Sequence, residues 1–356
     1  MRTPYLSFLL VTRWASVLVA LMYHVRFLLF VDYEHVHAKT WLTNVFYFLT
    51  GLGHESFAVF LVLDGILTGR ALRAGTIPGR RAVALYGLLL PGLVLGAAAD
   101  VAGVRFFNGS GLYTAYPAFS TLTLGYASLL GNMFMLQPFV VPTFGSNGML
   151  YLLSFLFWSI ILLDVLLRAT RAGRVVLLTA VVVLAPPLFL IWSAIWLTGL
   201  AVAHMGALRR ARPSLPVAIV GFLATLLLSR FLGAGVHGPP AFGAWLADCK
   251  FLLVGWGFAA IAWALAPPGA QHTTVPDDPA PAFTFFFHFP VMMLLVGIGT
   301  TLPGQALMQQ PTPARYGAFV AVAAACVGTT VLVARAARPG KAQRQAAWPW
   351  PGAGHS

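Results

Sequence analysis

Two ionisable residues stand inside the first apolar run of the chain, Leu9 to Phe30: Arg13 and His24. Ten residues separate them. At about 1.5 Å and ~100° per residue they leave one face of one helix, roughly 16 Å apart in depth and about 20° apart around the axis. An imidazole takes or gives a proton near neutral pH, and a guanidinium holds an anion through paired donors. Ionisable groups inside a membrane span are costly and usually face a bundle interior or a wet cavity. Two in register suggest a polar track through the protein. The plainer alternative is that Arg13 extends its stem to the inner interface and His24 is a satisfied core histidine. Arg26, near the far end of the run, can reach the interface.

The second apolar stretch opens on Gly53-His54-Glu55 and closes on Leu63-Asp64-Gly65. His54 and Glu55 fall in the depth band of His24. Glu55 could orient or charge-match a catalytic imidazole, as carboxylates do in acyl-transfer sites, or it could be half of a polar pair at a wet helix entrance. Asp64 falls at the other end, beside Arg70. An unpaired buried carboxylate is expensive, so Asp64 is expected to pair with Arg13 or with the arginines that follow it. Those are Arg70, Arg73, Arg80 and Arg81, flanking a Gly-Thr-Ile-Pro-Gly turn. Guanidinium forks bind phosphates bidentately, which suits a phosphorylated cofactor. Such a cluster also arises simply from the charge bias of cytoplasmic loops. His288, in Phe285-Phe286-Phe287-His288-Phe289-Pro290, is a lone histidine in an aromatic helix and is expected to be packed rather than catalytic.

The elements that carry these residues are apolar spans. Of 356 residues 59% are hydrophobic and 9% charged, and mean hydropathy is +0.83. That composition is one of a polytopic helical membrane protein. The first run is too long for a cleaved signal segment and lacks a small-residue cleavage site. The two cysteines, Cys249 and Cys326, have no metal-binding spacing and are not expected to form a disulfide. A net charge of +13 is better explained by loop topology than by nucleic acid.

Candidate spans fall at about 9–30, 44–68, 82–102, 121–142, 147–167, 174–193, 195–208, 215–233, 251–267, 282–302 and 316–334. Basic residues cluster at Arg70–Arg81, at Arg168, Arg171 and Arg174, at Arg209, Arg210 and Arg212, and at Arg335, Arg338, Lys341 and Arg344. With Arg2 these are 15 of the 22 basic residues. They share one side if 121–142 does not fully cross, which predicts an all-α bundle of about ten crossings with both termini cytoplasmic. Residues 1–335 form the membrane domain and 336–356 a flexible tail. The opposite loops hold Asp32, Glu34, His35, His37 and Lys39, then Asp100 and Arg105. His35 and His37 would suit an outer metal site or, more simply, a solvated loop.

The chain resembles the acyltransferase 3 family of integral membrane acyltransferases. Arg13 and His24, within RWASVLVALMYH, match that family's arginine, ten residues, histidine arrangement. Gly53 to Gly65 resembles its second-helix stretch, and Arg70 to Pro91 its arginine-rich turn and helix. Phe144 to Trp158 resembles its Asn-Gly-Pro-Leu-Trp-Ser-Leu-Ser-Tyr-Glu-Phe segment. Ile195 to Leu200 and Phe287 to Val291 resemble two later marks. The matches run in order over about 13–291. Asp64 stands where the family usually has Ser. Met149, Tyr151, Leu152 and Leu156 stand where Pro, Trp, Ser and Glu are usual, which leaves Asp64 or Glu55 as carboxylates to compensate for the missing Glu.

The resemblance implies transfer of an acyl group, usually acetyl, from cytoplasmic acetyl-CoA to a hydroxyl of an outer glycan or lipid-linked saccharide, with no metal. His24 would be general base or transient acyl acceptor, with Glu55 beside it. Arg13, Asp64, Arg70, Arg73, Arg80 and Arg81 would form the acyl-CoA site. His54, Asn147, Tyr151 and Ser154 would meet the acceptor, with Ser146, Asn147 or Ser154 as oxyanion donors. The composition suggests a bacterial inner membrane, and polysaccharide synthesis machinery would be a partner. The competing expectations are a glycolipid or small-anion transporter and a non-catalytic scaffold of such machinery.

Overall fold

A computed structural model describes residues 4–115, 123–205, 212–232, 240–267 and 278–337. Among these residues every regular element is helical; apart from a 3-10 turn at Tyr33–His35 the elements are α-helices. In chain order these are α1 (Pro4–Leu29), α2 (Trp41–Thr50), α3 (Gly53–Arg73), α4 (Pro78–Ala84), α5 (Tyr86–Phe106), α6 (Leu112–Ala115) and α7 (Tyr126–Met133). Then come α8 (Leu150–Arg168), α9 (Arg171–Leu184), α10 (Pro187–His204), α11 (Leu215–Leu232), α12 (Pro240–Leu265), α13 (Ala280–Thr301) and α14 (Pro313–Ala336). Local chemistry sets several starts. Thr40, Thr170 and Thr312 accept the amide hydrogens of Thr43, Gly173 and Arg315, satisfying donors that a helix start leaves bare. Pro78, Pro187 and Pro313 sit in the first turn, where a missing N–H costs nothing.

Among the described residues six helical stretches are long and apolar enough to cross a membrane: Pro4–Leu29, Pro78–Phe106, Leu150–Arg168, Pro187–His204, Ala280–Thr301 and Pro313–Ala336. A seventh is added if α2 and α3, which meet at 41°, form one bent span. This is fewer than the ten expected. The 121–142 stretch, which the expected ten already left out, yields only the eight-residue α7. The expected spans 174–193 and 195–208 are cut differently, because Pro186-Pro187 bars Ala185 from the helical region. The result is a 14-residue α9, about 21 Å long at 1.5 Å per residue against a hydrocarbon core of ~30 Å. Leu215–Phe231 and Cys249–Leu265 are further apolar stretches, lying within helices of 18 and 26 residues. The outer surface is apolar: Leu184 on α9 is 80% exposed and Val175, Val176, Val182 and Val183 are exposed beside it, a surface suited to lipid and not to water.

α13 is the axis. In its most apolar window 78% of residues are buried, against 22–50% in the other candidate spans. Its neighbours reach it, and each other, through small residues. On α3, Gly65 and Gly69 face α10: a Cβ on Gly65 would lie 2.1 Å from the Trp196 carbonyl, and one on Gly69 would lie 2.6 Å from the Ala203 methyl. Reciprocally, a Cβ on Gly199 would lie 2.0 Å from the Val62 carbonyl. The four-residue spacing on both helices lets their backbones touch, which is how membrane helices gain contact when no water drives them together. On α5, Gly92 and Gly96 repeat the device. The Phe287 ring fills the place of the first missing side chain, and Pro290 packs over the second.

These contacts fix helix directions. α3 and α10 run parallel, because Gly65 meets Trp196 and Gly69 meets Ala203. Arg70 lies 5.9 Å from the Tyr5 ring at the start of α1. Gly79 faces Asp164 near the end of α8. Arg212 donates to the Trp263 carbonyl near the end of α12. Thr284 and Thr330 share a hydrogen bond between antiparallel α13 and α14. One face of the bundle therefore gathers the start of α1, the ends of α3, α8, α10 and α12, and Arg70, Arg73, Arg80, Arg81, Arg168 and Arg212. Arg209, Arg210 and the tail from 338 lie outside the described residues.

Candidate functional site

His24 on α1 and His288 on α13 meet inside the bundle, with His24 Nδ1 3.0 Å from His288 Nε2. They are 7% and 0% exposed. The bonds around the pair assign its hydrogens. His288 Nδ1 lies 2.9 Å from the Thr284 carbonyl and 3.0 Å from the Phe285 carbonyl. Carbonyls only accept, so Nδ1 of His288 carries the hydrogen. With both rings neutral, His288 Nε2 is then an acceptor, and the hydrogen between the rings belongs to His24 Nδ1. The lone pair of His24 therefore sits on Nε2. Tyr23, Phe57 and Phe289 surround the ring at 5.0, 6.0 and 5.3 Å between centroids. Cys326 Sγ caps the His288 carbonyl at 3.3 Å.

The expected polar track between Arg13 and His24 is aromatic. The Arg13 guanidinium lies 5.5 Å from the Phe60 ring. Phe60 stacks on Phe285 at 3.9 Å, and Phe285 meets Phe57, which packs on His24. Glu55 is also not the group that orients His24. Its Oε1 accepts the Ser229 hydroxyl at 2.8 Å, toward α11. The imidazole of His288 occupies the orienting role instead. His54 is exposed, with Tyr23 and Phe57 beside it and its ring stacked on Phe251 at 5.7 Å.

Asp64 does pair with the arginine cluster. Arg81 Nη2 donates to its Oδ1 at 2.8 Å and Trp196 Nε1 donates to Oδ2 at 3.1 Å, while the Thr68 hydroxyl donates to the Asp64 backbone carbonyl at 2.8 Å and lies 3.4 Å from Oδ2. Trp196 is delivered by the Gly65–Gly199 contact. Arg73 donates to the Ala203 carbonyl at 2.7 Å, and Arg80 is exposed. The Nε of Arg81 is buried with no acceptor. This patch joins the Asp64 pair to the basic face and lies at the opposite end of α3 from His54 and Glu55.

The 145–149 turn sits against α5. Ser146 donates its amide and its hydroxyl to Asp100 at 2.7 and 2.6 Å, and Ser154 donates to the Met135 carbonyl at 2.5 Å. Both hydroxyls are thereby committed to internal bonds. Asn147 differs: it is 2% exposed, and neither its Nδ2 nor its Oδ1 has a partner. Tyr151 packs edge-on against Phe155. The backbones of His35 and His37 are tied to the Gln310 side chain. Among the described residues no group of three His, Cys, Asp or Glu is disposed to hold a metal ion.

Sequence reasoning set His288 aside as packing. The signal available was Thr284 four residues before it, a polar pair on one face of an otherwise apolar helix. Asp100 was legible only as an outer-loop acid; its bond to Ser146 spans 46 residues. Compared with protein-family models, curated proteins and solved structures, the chain matches none. The family resemblance rests on its motifs alone.

Proposed function

We propose that the protein is a membrane-embedded O-acyltransferase that moves an acyl group, acetyl in the simplest case, from acyl-CoA to a hydroxyl of a glycan or lipid-linked saccharide. The observation that carries this reading is the His24–His288 pair, which leaves one lone pair, on His24 Nε2, inside an apolar bundle. In the proposed reaction Nε2 takes the proton of the acceptor hydroxyl as its oxygen attacks the thioester carbonyl. The C–S bond breaks, and the imidazolium returns the proton to the departing thiolate, giving ester and free CoA. His288 does not touch substrate. It holds the Nδ1–H tautomer and stabilises the imidazolium through the bond it accepts, the part a carboxylate plays in a serine hydrolase. Asn147 Nδ2 is a donor suited to the oxyanion.

The motif resemblance and the basic face support the donor assignment. Arg81, with a buried Nε lacking an acceptor, and exposed Arg80 would bind CoA phosphates, with Arg70 and Arg73 beside them. If α11, α12 and a short α9 cross beside the seven spans, there would be ten crossings of alternating direction, and the loop-charge bias would put the arginine face, and both termini, in the cytoplasm. The membrane would be a bacterial inner membrane, with polysaccharide synthesis machinery as a partner.

A second reading, a transporter, is favoured by the same pair, since linked imidazoles inside a bundle also relay protons. Purified protein reconstituted in sealed lipid vesicles, given radiolabelled acetyl-CoA and a saccharide mixture, separates the two. Label in saccharide and release of free CoA support the transferase. Substrate movement into sealed vesicles without CoA release overturns it.

A further inference from the structure

The outer mouth beside His24 has a composition of its own. Arg26, two residues beyond His24, lies between two tyrosines, its guanidinium carbon 5.7 Å from the Tyr23 ring and 5.1 Å from the Tyr47 ring. Its Nε is buried with no hydrogen-bond partner. Neither of the ion pairs among the described residues includes it. The cradle is built, not incidental. Tyr47 is pinned by a 2.7 Å bond from its hydroxyl to the Val31 carbonyl. Tyr23 lies against Gly53, where a Cβ would sit 2.3 Å from its ring. From Tyr23 the aromatic wall continues to exposed His54, which is backed by the buried Phe251 ring, and Lys250 Nζ lies 5.1 Å from that ring. Arg230 is held to the Gly51 carbonyl at 2.9 Å on the same rim. The carboxylates whose charge reaches Tyr23 are Asp32 and Glu55, and Glu55 is taken up by Ser229. Three cations thus face two carboxylates, one of which is engaged elsewhere.

We infer that this mouth binds an anionic saccharide, with the Arg26 guanidinium taking the carboxylate of a uronic-acid unit and the Tyr23 and His54 rings taking the apolar faces of the sugar rings. The inference rests on the acyl-transfer reading of His24 and names the acceptor class. A carboxylate accepts two parallel N–H bonds from a guanidinium, and Arg26 has a buried donor without an acceptor. Sugar C–H faces suit flat aromatic surfaces. Tyr23 touches both Arg26 and His24, so a carboxylate on Arg26 places a hydroxyl of the same or the next sugar beside His24.

The test is a binding measurement free of catalysis. Wild-type protein in phosphatidylcholine nanodiscs, without acetyl-CoA, is titrated by calorimetry with β-1,4-linked triglucuronate and with cellotriose, its neutral counterpart. Triglucuronate is expected to bind at least tenfold tighter, with the gap shrinking as salt rises. Arg26→Gln should abolish the gap while leaving cellotriose affinity unchanged, which also shows that the variant is folded, and Arg26→Lys should keep part of it. Equal affinities in the wild type overturn the inference. So does a gap that survives Arg26→Gln, since Lys250 or Arg230 would then hold the carboxylate. Failure of the acyl-transfer reading is distinguishable: acetyl-CoA would stay unconsumed while the selective binding persisted, which supports the mouth as a saccharide site of another activity.

Discussion

His24 Nδ1 and His288 Nε2 lie 3.0 Å apart although their positions differ by 264 in the chain. The contact joins the first helix to the buried axis of the bundle. Its direction is set from the far side, by the Thr284 and Phe285 carbonyls that claim the other nitrogen of His288. His24 Nε2 is the nitrogen that this chain of bonds leaves as a base.

His24→Ala is expected to lower acyl transfer by about 10²–10⁴-fold, the usual loss on removing a general base. Because the ring is buried, thermal melting of the purified variant should accompany the assay and show a cooperative transition. Transfer at the wild-type rate from folded His24→Ala would end the assignment.

His288→Ala should reduce kcat and leave the KM for acetyl-CoA unchanged, because the residue positions His24 and does not touch the donor. His288→Asn, whose amide oxygen is an acceptor, should recover part of the loss. The readout that separates positioning from packing is the ¹⁵N spectrum of His24. It should report the Nδ1–H form in wild type and a mixture of tautomers in His288→Ala. An unchanged spectrum with reduced kcat would point to packing alone.

The helical membrane class was legible because apolar runs are a one-dimensional signal. Breaks at Pro186-Pro187 and at Gly51-Leu52 are local too, but they shift with context, and the boundaries of α9 and α10 came out differently from the hydropathy runs. Partnerships were the illegible part. Asp64 needed a counter-charge, and the sequence narrowed the choice to Arg13 or the following arginines. Only the fold of the α3–α4 turn brings Arg81 onto it. Glu55 beside a catalytic histidine is a reasonable pattern in sequence, yet α3 turns that carboxylate toward Ser229 on α11. His288 looked apolar by company, since its partner lies in another helix.

The α3–α10 contact depends on two missing side chains. Gly199→Leu would place a Cβ 2.0 Å from the Val62 carbonyl, a backbone atom that cannot swing aside. Overpacking a well-filled core costs typically about 1–3 kcal/mol, and a backbone clash should reach at least the top of that range. The expected outcome is a lower Tm in detergent and loss of the Trp196–Asp64 bond, read as a shift in tryptophan fluorescence. Gly221→Leu on α11, where a side chain meets open space, should leave both unchanged.

Asp64→Asn keeps an acceptor for Trp196 but removes the only carboxylate in ion-pair contact with Arg81 among the described residues. Breaking a buried pair strands the remaining charge, at about 3–5 kcal/mol when both partners are fully buried. The Arg81 side chain is 24% exposed, so screening by water and headgroups lowers the figure, and about 2 kcal/mol is expected. Tm should therefore fall. If CoA phosphates dock on this guanidinium they replace the lost anion, and a ligand that binds the folded state raises its stability by mass action. Acetyl-CoA should thus raise the Tm of Asp64→Asn by more than it raises the wild type. Inorganic sulfate, which lacks the pantetheine arm, should do so only at high concentration. A variant destabilised as expected yet indifferent to acetyl-CoA would mean that the Asp64–Arg81 pair serves the fold alone and that the donor binds elsewhere.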